Sequence, residues 1–424
     1  MNRSPGSRPR DEEGGSSAAS SSFEETWQFV LKVGEAAVRY GSSAPRLQSY
    51  LEALSRHFGH EGVFGVTARE IVFALREAPG RLQRIELMRA PPAGTDLNRL
   101  ARLGDLLDDV TADRVSLSAA SIRMEAIDRI EAPWGVGWTL FAYCLIGFSL
   151  APLLGGGWPD AWVAMVLSGI VYSIVLLSER LGDPFADWIP LTTAFVAGAL
   201  AAIAKLWIPE LNLVLVVLSA IAVLLPGYAI STGVIELAAQ HILSGAERLM
   251  GGLVGITTQF LGAWLGVMLI SHLVSLQTAA SAPSVDGMLM WLIVPLIAVG
   301  LCIVFQTPTR DFLWAFLACV TAYLGIYAGS VFVGGNFGNL LGTIIAVAFA
   351  NLWAGWKNRP TSIVLIPALV LLVSGSIGFR GLASIAEGQF ALGSEELLQM
   401  FLVALTIAAG LLIGNTLFRP RFTL

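Results

Sequence analysis

From Trp134 to the C-terminus, long apolar runs alternate with short polar breaks, and ten of the runs are about 18 to 25 residues long. A helix rising ~1.5 Å per residue crosses a ~30 Å hydrocarbon core at that length. Membrane spans are expected over 134–154, 160–178, 188–206, 211–230, 249–274, 287–306, 311–330, 335–355, 362–381 and 395–417. The pattern before Pro133 is different. Residues 23–40 have amphipathic helical spacing stopped by Gly41, and a second helix over 44–58 is closed by Gly59. Short β-leaning runs follow at 63–66, 70–75 and 84–88, and then helices near 96–110 and 116–130. The expectation is a small α+β domain over 23–132, lying in the cytosol. Residues 1–22, rich in Ser, Gly and Pro without an apolar run, read as a disordered tail that is neither signal peptide nor anchor.

Composition sharpens this division. Of 26 Lys and Arg and 31 Asp and Glu, 17 and 19 precede Pro133, leaving 21 charges for the last 291 residues. That number cannot coat a soluble fold, so the C-terminal two-thirds belongs in a bilayer. Eleven of the twelve tryptophans lie there, ten near span ends, as an interfacial belt requires, and Trp264 is mid-span. With the N-terminus inside, Arg180, Arg248, Arg310, Lys357, Arg359, Arg419 and Arg421 fall on the cytosolic side, against Lys205 and Arg380 opposite. This is the positive-inside bias, so ten spans with both termini in the cytosol are expected. The net charge of −5 offers no basic patch, which argues against nucleic-acid binding. Cys144, Cys302 and Cys319 sit in apolar runs and read as packing residues, not as disulfide or metal ligands.

The two halves of the apolar region echo each other. Asp160 and Tyr172 match Asp311 and Tyr323 at a shift of 151, Leu225-Pro226-Gly227 matches Ile366-Pro367-Ala368 at 141, and residues 245–249 match 393–397 at 148. Five spans over 133–274 followed by five over 275–424 make a 5+5 inverted repeat, because an odd number of crossings brings the second half in from the opposite side. Such duplications recur in secondary transporters, which alternate access around a site near the repeat axis.

Pro226 and Gly227 should break the fourth span, since proline removes a backbone donor and clashes with the preceding turn. Pro367 holds the repeat-related place in the ninth, and two broken helices would offer dipole ends suited to a carboxylate or a zwitterion. Ser231 and Thr232 could hydrogen-bond a hydroxylated substrate or bond back to their own helix. Asn336 and Asn339, with Thr343 and Asn351, form a polar face that either glues helices or lines a pathway. Residues 231–248 read as an amphipathic interfacial connector, with Glu236 and Glu247 the candidate proton-coupling groups and His272 a further option. No P-loop, GxSxG, HExxH or CxxC occurs, so neither an enzyme nor a bound cofactor or metal is expected.

The order of parts, with the Leu225-Pro226-Gly227 turn, Gly245-Ala246-Glu247-Arg248, Gly41-Ser42-Ser43-Ala44 with Arg46, Leu87-Met88-Arg89 and Asp96-Leu97-Asn98-Arg99-Leu100, resembles the threonine/serine exporter family. The resemblance implies proton-driven efflux of threonine and serine across the cytoplasmic (inner) membrane. Some members of that family divide the layout between two proteins and are associated with succinate, so a dicarboxylate is the alternative substrate, and a membrane-anchored sensor or regulator the alternative class. The expected partners are the lipid bilayer, the small-molecule substrate and protons, and a homo-oligomer is compatible with the sequence.

Overall fold

The structure is a computed structural model that describes residues 13–67, 69–77, 83–90, 94–181, 187–276, 279–372 and 375–419, and of these the side chains other than those of 13–22, Met290 and Asn336. Residues 1–12 of the expected tail, and Arg421, lie outside the described residues. The chain divides into two units, one running through Thr95 and over Arg102–Ile130, the other comprising Asp96–Ala101 and the chain from Glu131.

The first unit holds α1 (Glu13–Tyr40), α2 (Ala44–His57), β1 (Glu61–Val66), β2 (Glu70–Arg76), β3 (Gln83–Arg89), most of α3 (Leu97–Thr111) and α4 (Leu117–Asp128). Helix α1 begins at Glu13, so 13–22 is helical where a disordered tail was expected. The strands form an antiparallel meander, with Phe64 opposite Phe73 and Val72 opposite Leu87. The two-residue period puts Phe64, Ile71, Phe73 and Leu75 in the core, against Trp27, Val30 and Val33 of α1 and Leu47, Leu51 and Leu54 of α2. Gly34 is required where α1 crosses the sheet, since a Cβ there would lie 2.5 Å from Phe73 Cζ. Tyr40 donates to Asp128 Oδ1 (2.5 Å), and Arg39 donates to the same oxygen (3.2 Å), tying α1 to α4.

The second unit is helical: α5 (Val136–Leu153), α6 (Trp158–Leu181), α7 (Ile189–Trp207), α8 (Leu213–Ala220), α9 (Gly227–Ala238), α10 (Ile242–Leu273), α11 (Met290–Val304), α12 (Phe312–Phe332), α13 (Gly335–Lys357), α14 (Ser362–Leu372), α15 (Gly375–Ala386) and α16 (Phe390–Leu417). Among the described residues, nine helices are long and apolar enough to cross a membrane. The bent pair Leu213–Ala220 and Ala222–Ala238, 62° apart, makes ten if it is one span. This is a multi-pass membrane protein, and its spans fall where the apolar runs placed them. Bulky residues remain outward, Trp207 being 82 % exposed, as a lipid-facing surface allows.

Small residues let the helices approach closely where there is no hydrophobic drive between them. A Cβ at Gly233 would lie 2.9 Å from the Gly245 carbonyl oxygen, and one at Gly381 would lie 3.0 Å from that of Gly393. Residues in these two contacts are 148 apart, as are Gly262 and Gly266, which press on α7, and Gly410 and Gly414, which press on α13. Gly252 receives Ile230 on its surface. At the positions 148 later the sizes are exchanged, with Met400 pressing on Gly378. Two buried aspartates also correspond. Asp160, 0 % exposed, accepts from Gly157 N and Asn212 N (both 2.8 Å), holding the start of α8, while Asp311 binds Arg359 ahead of α14 (2.5 Å).

Candidate functional site

The interruption in the fourth span is built by Pro226. The residue before a proline avoids helical backbone, and Leu225 is extended (φ −62°, ψ 128°) after a 3₁₀ turn over Ala222–Leu224. Pro226 then caps α9, whose first internal bond runs from Ile230 N to Pro226 O (3.0 Å). The carbonyls stranded by the break take side-chain donors, as membrane depth demands. Ser168 Oγ donates to Ala220 O (2.9 Å), and Gln259 Nε2 of α10 donates to Leu224 O (2.8 Å). Because a carbonyl only accepts, the Gln259 amide orientation is fixed and its Oε1 is the outward end. That oxygen is buried and has no hydrogen-bond partner among the described residues. An unmet acceptor of this kind costs about 1–3 kcal/mol.

The expected site residues separate into groups. Gly227 opens α9, and Gly375 of α15 abuts it, a Cβ there lying 3.1 Å from Gly227 Cα. Ser231, 2 % exposed, has an unpartnered hydroxyl, whereas Thr232 donates back to Tyr228 O (2.8 Å) and Ala229 O (3.1 Å) of its own helix. Pro367 lies within α14, which is helical on both sides of it, and among the described residues only the fourth span is bent by more than 40°. Gly375, eight residues beyond Pro367, therefore meets the first break. Asn336's side chain lies outside the described residues. Asn339 is half-buried in α13 and its carbonyl accepts from Thr343 Oγ1 (2.7 Å). Asn351 acts as glue: its Nδ2 donates to Asn415 Oδ1 (2.9 Å) and Phe418 O (2.7 Å) at the end of α16.

The stretch 231–248 is not one continuous amphipathic segment. It is the end of α9, a turn with Gln240 at φ +66°, and the start of α10. Glu236 is 2 % exposed, accepts from Ser244 Oγ (2.6 Å) and pairs with Arg248 Nε (3.2 Å), so its charge is met by protein and not by water. Glu247 is half-buried one residue before Arg248, and His272 is exposed in the last turn of α10. A second, half-buried pair joins α15 to α16, with Arg380 Nε 3.7 Å from Glu396 Oε1, which belongs to the carboxylate that accepts from Ser384 Oγ (3.0 Å). Glu236 and Ser384 are 148 apart, as are Arg248 and Glu396. Each repeat of the contact thus pairs one carboxylate with one guanidinium, with the residues differently assigned to its two helices.

A cavity of about 160 Å³ opens between α8, α10 and α15, lined by Val217, Phe260, Ala263, Phe379 and Ala383, with Glu387 at its edge. Phe260 and Phe379 meet edge to face there (centroids 5.7 Å), and Phe260 follows Gln259 in the chain. Neither Gln259 nor the Arg380–Glu396 pair stood out in the sequence. A lone amide in the middle of an apolar run was the available signal for the first, and the second offered none until α15 and α16 were side by side.

The chain is 24 % identical over 373 residues to an uncharacterized protein of Schizosaccharomyces pombe, covering 85 % of this chain and 45 % of that one. It is also 23 % identical to pheromone-regulated membrane protein 10 of Pichia sorbitophila (82 % and 36 % covered) and of Candida albicans (83 % and 33 % covered). The chain therefore spans less than half the length of these relatives. No solved structure matches. Family models described as putative threonine/serine exporter and threonine/serine exporter match residues 28–270 and 290–417. A helical membrane unit with an interrupted span, preceded by a small α+β unit and matched over most of its length, belongs to the threonine/serine exporter family.

Proposed function

We propose that the protein is a proton-coupled secondary exporter of threonine and serine across the cytoplasmic membrane, with both termini in the cytosol. The observation that carries this reading is the recurrence of the helix contacts at a constant 148 residues, from Gly233 against Gly245 to Gly262 and Gly266 against α7. Packing that repeats around two sets of five spans favours two halves inverted with respect to each other, the arrangement from which alternating access follows. Gly227 against Gly375, equivalent positions in contact, marks the region where the axis would run. The α9 amide end beside it suits a substrate carboxylate, and the Ser231 hydroxyl suits a hydroxylated side chain. The pairs Glu236–Arg248 and Arg380–Glu396 then lie at matching levels from the two faces, where a proton taken up by a carboxylate would release its arginine.

Loading cells with a peptide containing threonine or serine and following efflux tests this directly. Expressing cells are expected to export faster than a deletion strain, with the advantage growing as the outside is acidified. Equal efflux of both amino acids overturns the assignment, and competition by succinate would reassign the cargo to dicarboxylates. Glu236→Gln keeps the Ser244 contact and is expected to flatten the pH dependence of export; a wild-type pH profile removes Glu236 from coupling.

A further inference from the structure

Gln259 is 1 % exposed in the middle of the 32-residue helix α10. Its Nε2 holds Leu224 O, two residues before the cap of α9, and one turn earlier Gly255 faces Pro226, a Cβ there lying 3.2 Å from Pro226 Cγ. Helix α10 thus runs along the break, with Gly255 opposite the proline and Gln259 opposite the Leu224 carbonyl. The other half of the amide, Oε1, has no partner among the described residues.

Packing alone does not call for a glutamine here. The position 148 residues later is Ile407, buried in an apolar cluster, so the same helix in the other half is built without an amide. What Gln259 adds is an amide nitrogen, one N–H of which the break uses, and an oxygen that accepts from no group among the described residues. The α9 amide end offers the opposite polarity a few residues away. Donors for an anion and an unmet acceptor at one break form a dipolar pair complementary to a zwitterion.

We propose that Gln259 Oε1 receives the α-ammonium group of the transported amino acid while the α9 amide end takes its carboxylate, which makes Gln259 the residue that separates amino acids from hydroxy acids. This rests on the exporter reading above. It assigns a binding residue, since no bond is made or broken.

The test uses the purified full chain in lipid nanodiscs, with serine and 3-hydroxypropanoate, which lacks only the ammonium group, as probes in calorimetric binding. Wild-type protein is expected to prefer serine. Gln259→Leu, which restores the apolar residue type of the other half, is expected to weaken serine by about 10- to 100-fold, the worth of one hydrogen bond to a charged group. Since Leu also removes the donor to Leu224 O, the quantity read is the ratio of serine to 3-hydroxypropanoate affinity, which should fall by that factor, and matched thermal unfolding of the two proteins serves as the control for folding. Gln259→Glu, which keeps an acceptor toward the ammonium but gives up the donor to Leu224 O, should retain the preference for serine while lowering thermal stability. A Gln259→Leu protein that keeps the wild-type preference, or loses both ligands alike, overturns the assignment alone. Wild-type protein that binds no amino acid overturns the exporter reading and this assignment with it.

Discussion

Removing Glu236 should show how far its ion pair holds the junction of α9 and α10 together. The Glu236 side chain is 3 % exposed and that of Arg248 18 %, with 3.2 Å between Oε1 and Nε. Breaking a fully buried pair by deleting one partner costs about 3–5 kcal/mol, because the other charge is left in a medium that solvates it poorly. In Glu236→Ala the stranded group is Arg248, which keeps some contact with water, so the expected loss is at the low end, about 2–3 kcal/mol. In Arg248→Ala the stranded group is the better buried Glu236, still held by Ser244 Oγ at 2.6 Å. The double variant strands neither charge. Its loss should therefore fall short of the sum of the single losses by about 2 kcal/mol. Equilibrium unfolding of the four proteins in matched detergent provides the cycle. Additive single effects, each below about 0.5 kcal/mol, would mean that the pair behaves like an exposed one and would refute the reasoning.

The glycine contacts make a sharper steric prediction. Gly198→Ala drives a methyl group into the Ala263 carbonyl and should destabilise by about 1–3 kcal/mol, whereas Gly251→Ala, which meets nothing within 4 Å on the same α10, should be neutral or stabilising by up to about 1 kcal/mol; thermal unfolding compares them. In the first unit, burial and the neighbouring Asp105 push the Asp108 carboxyl above the usual carboxylate range. A carboxyl raised in the folded state destabilises at neutral pH, and the penalty disappears as pH falls through its folded value. Asp108→Asn is expected to slow hydrogen exchange in the first unit at pH 7 and to lose that advantage toward pH 4. Equal protection of the two proteins at pH 7 would contradict it.

The spans and the strands were legible because they depend on one-dimensional regularities. A helix must be about 20 apolar residues long to cross a bilayer, and a strand facing a core alternates every two residues. That is why 287–306 and 70–75 were located to within a few residues of α11 and β2. The chain break at Pro226 was legible for a related reason, since a missing N–H and a steric clash act within one turn. Pro367 carries the same local chemistry, yet α14 continues through it. Whether a proline ends a membrane helix depends on what its neighbours supply to the freed carbonyls, as Gln259 does at Leu224 and as no local rule anticipates.

The sequence alone thus located the nine or ten apolar helices long enough to cross a membrane, most of their ends to within a few residues, because length and polarity are properties of a segment by itself. Only the tertiary structure decided which polar groups meet water and which meet each other. Amphipathic periodicity at 231–248 is equally consistent with a solvated face and with the buried Glu236–Ser244–Arg248 cluster that forms once α10 folds back on α9. A mid-span glutamine likewise becomes informative only when its donor is seen to be used and its acceptor is not. Charge neutralisation and hydrogen-bond satisfaction are relations between segments, and they exist only after packing has brought those segments within about 3 Å of one another.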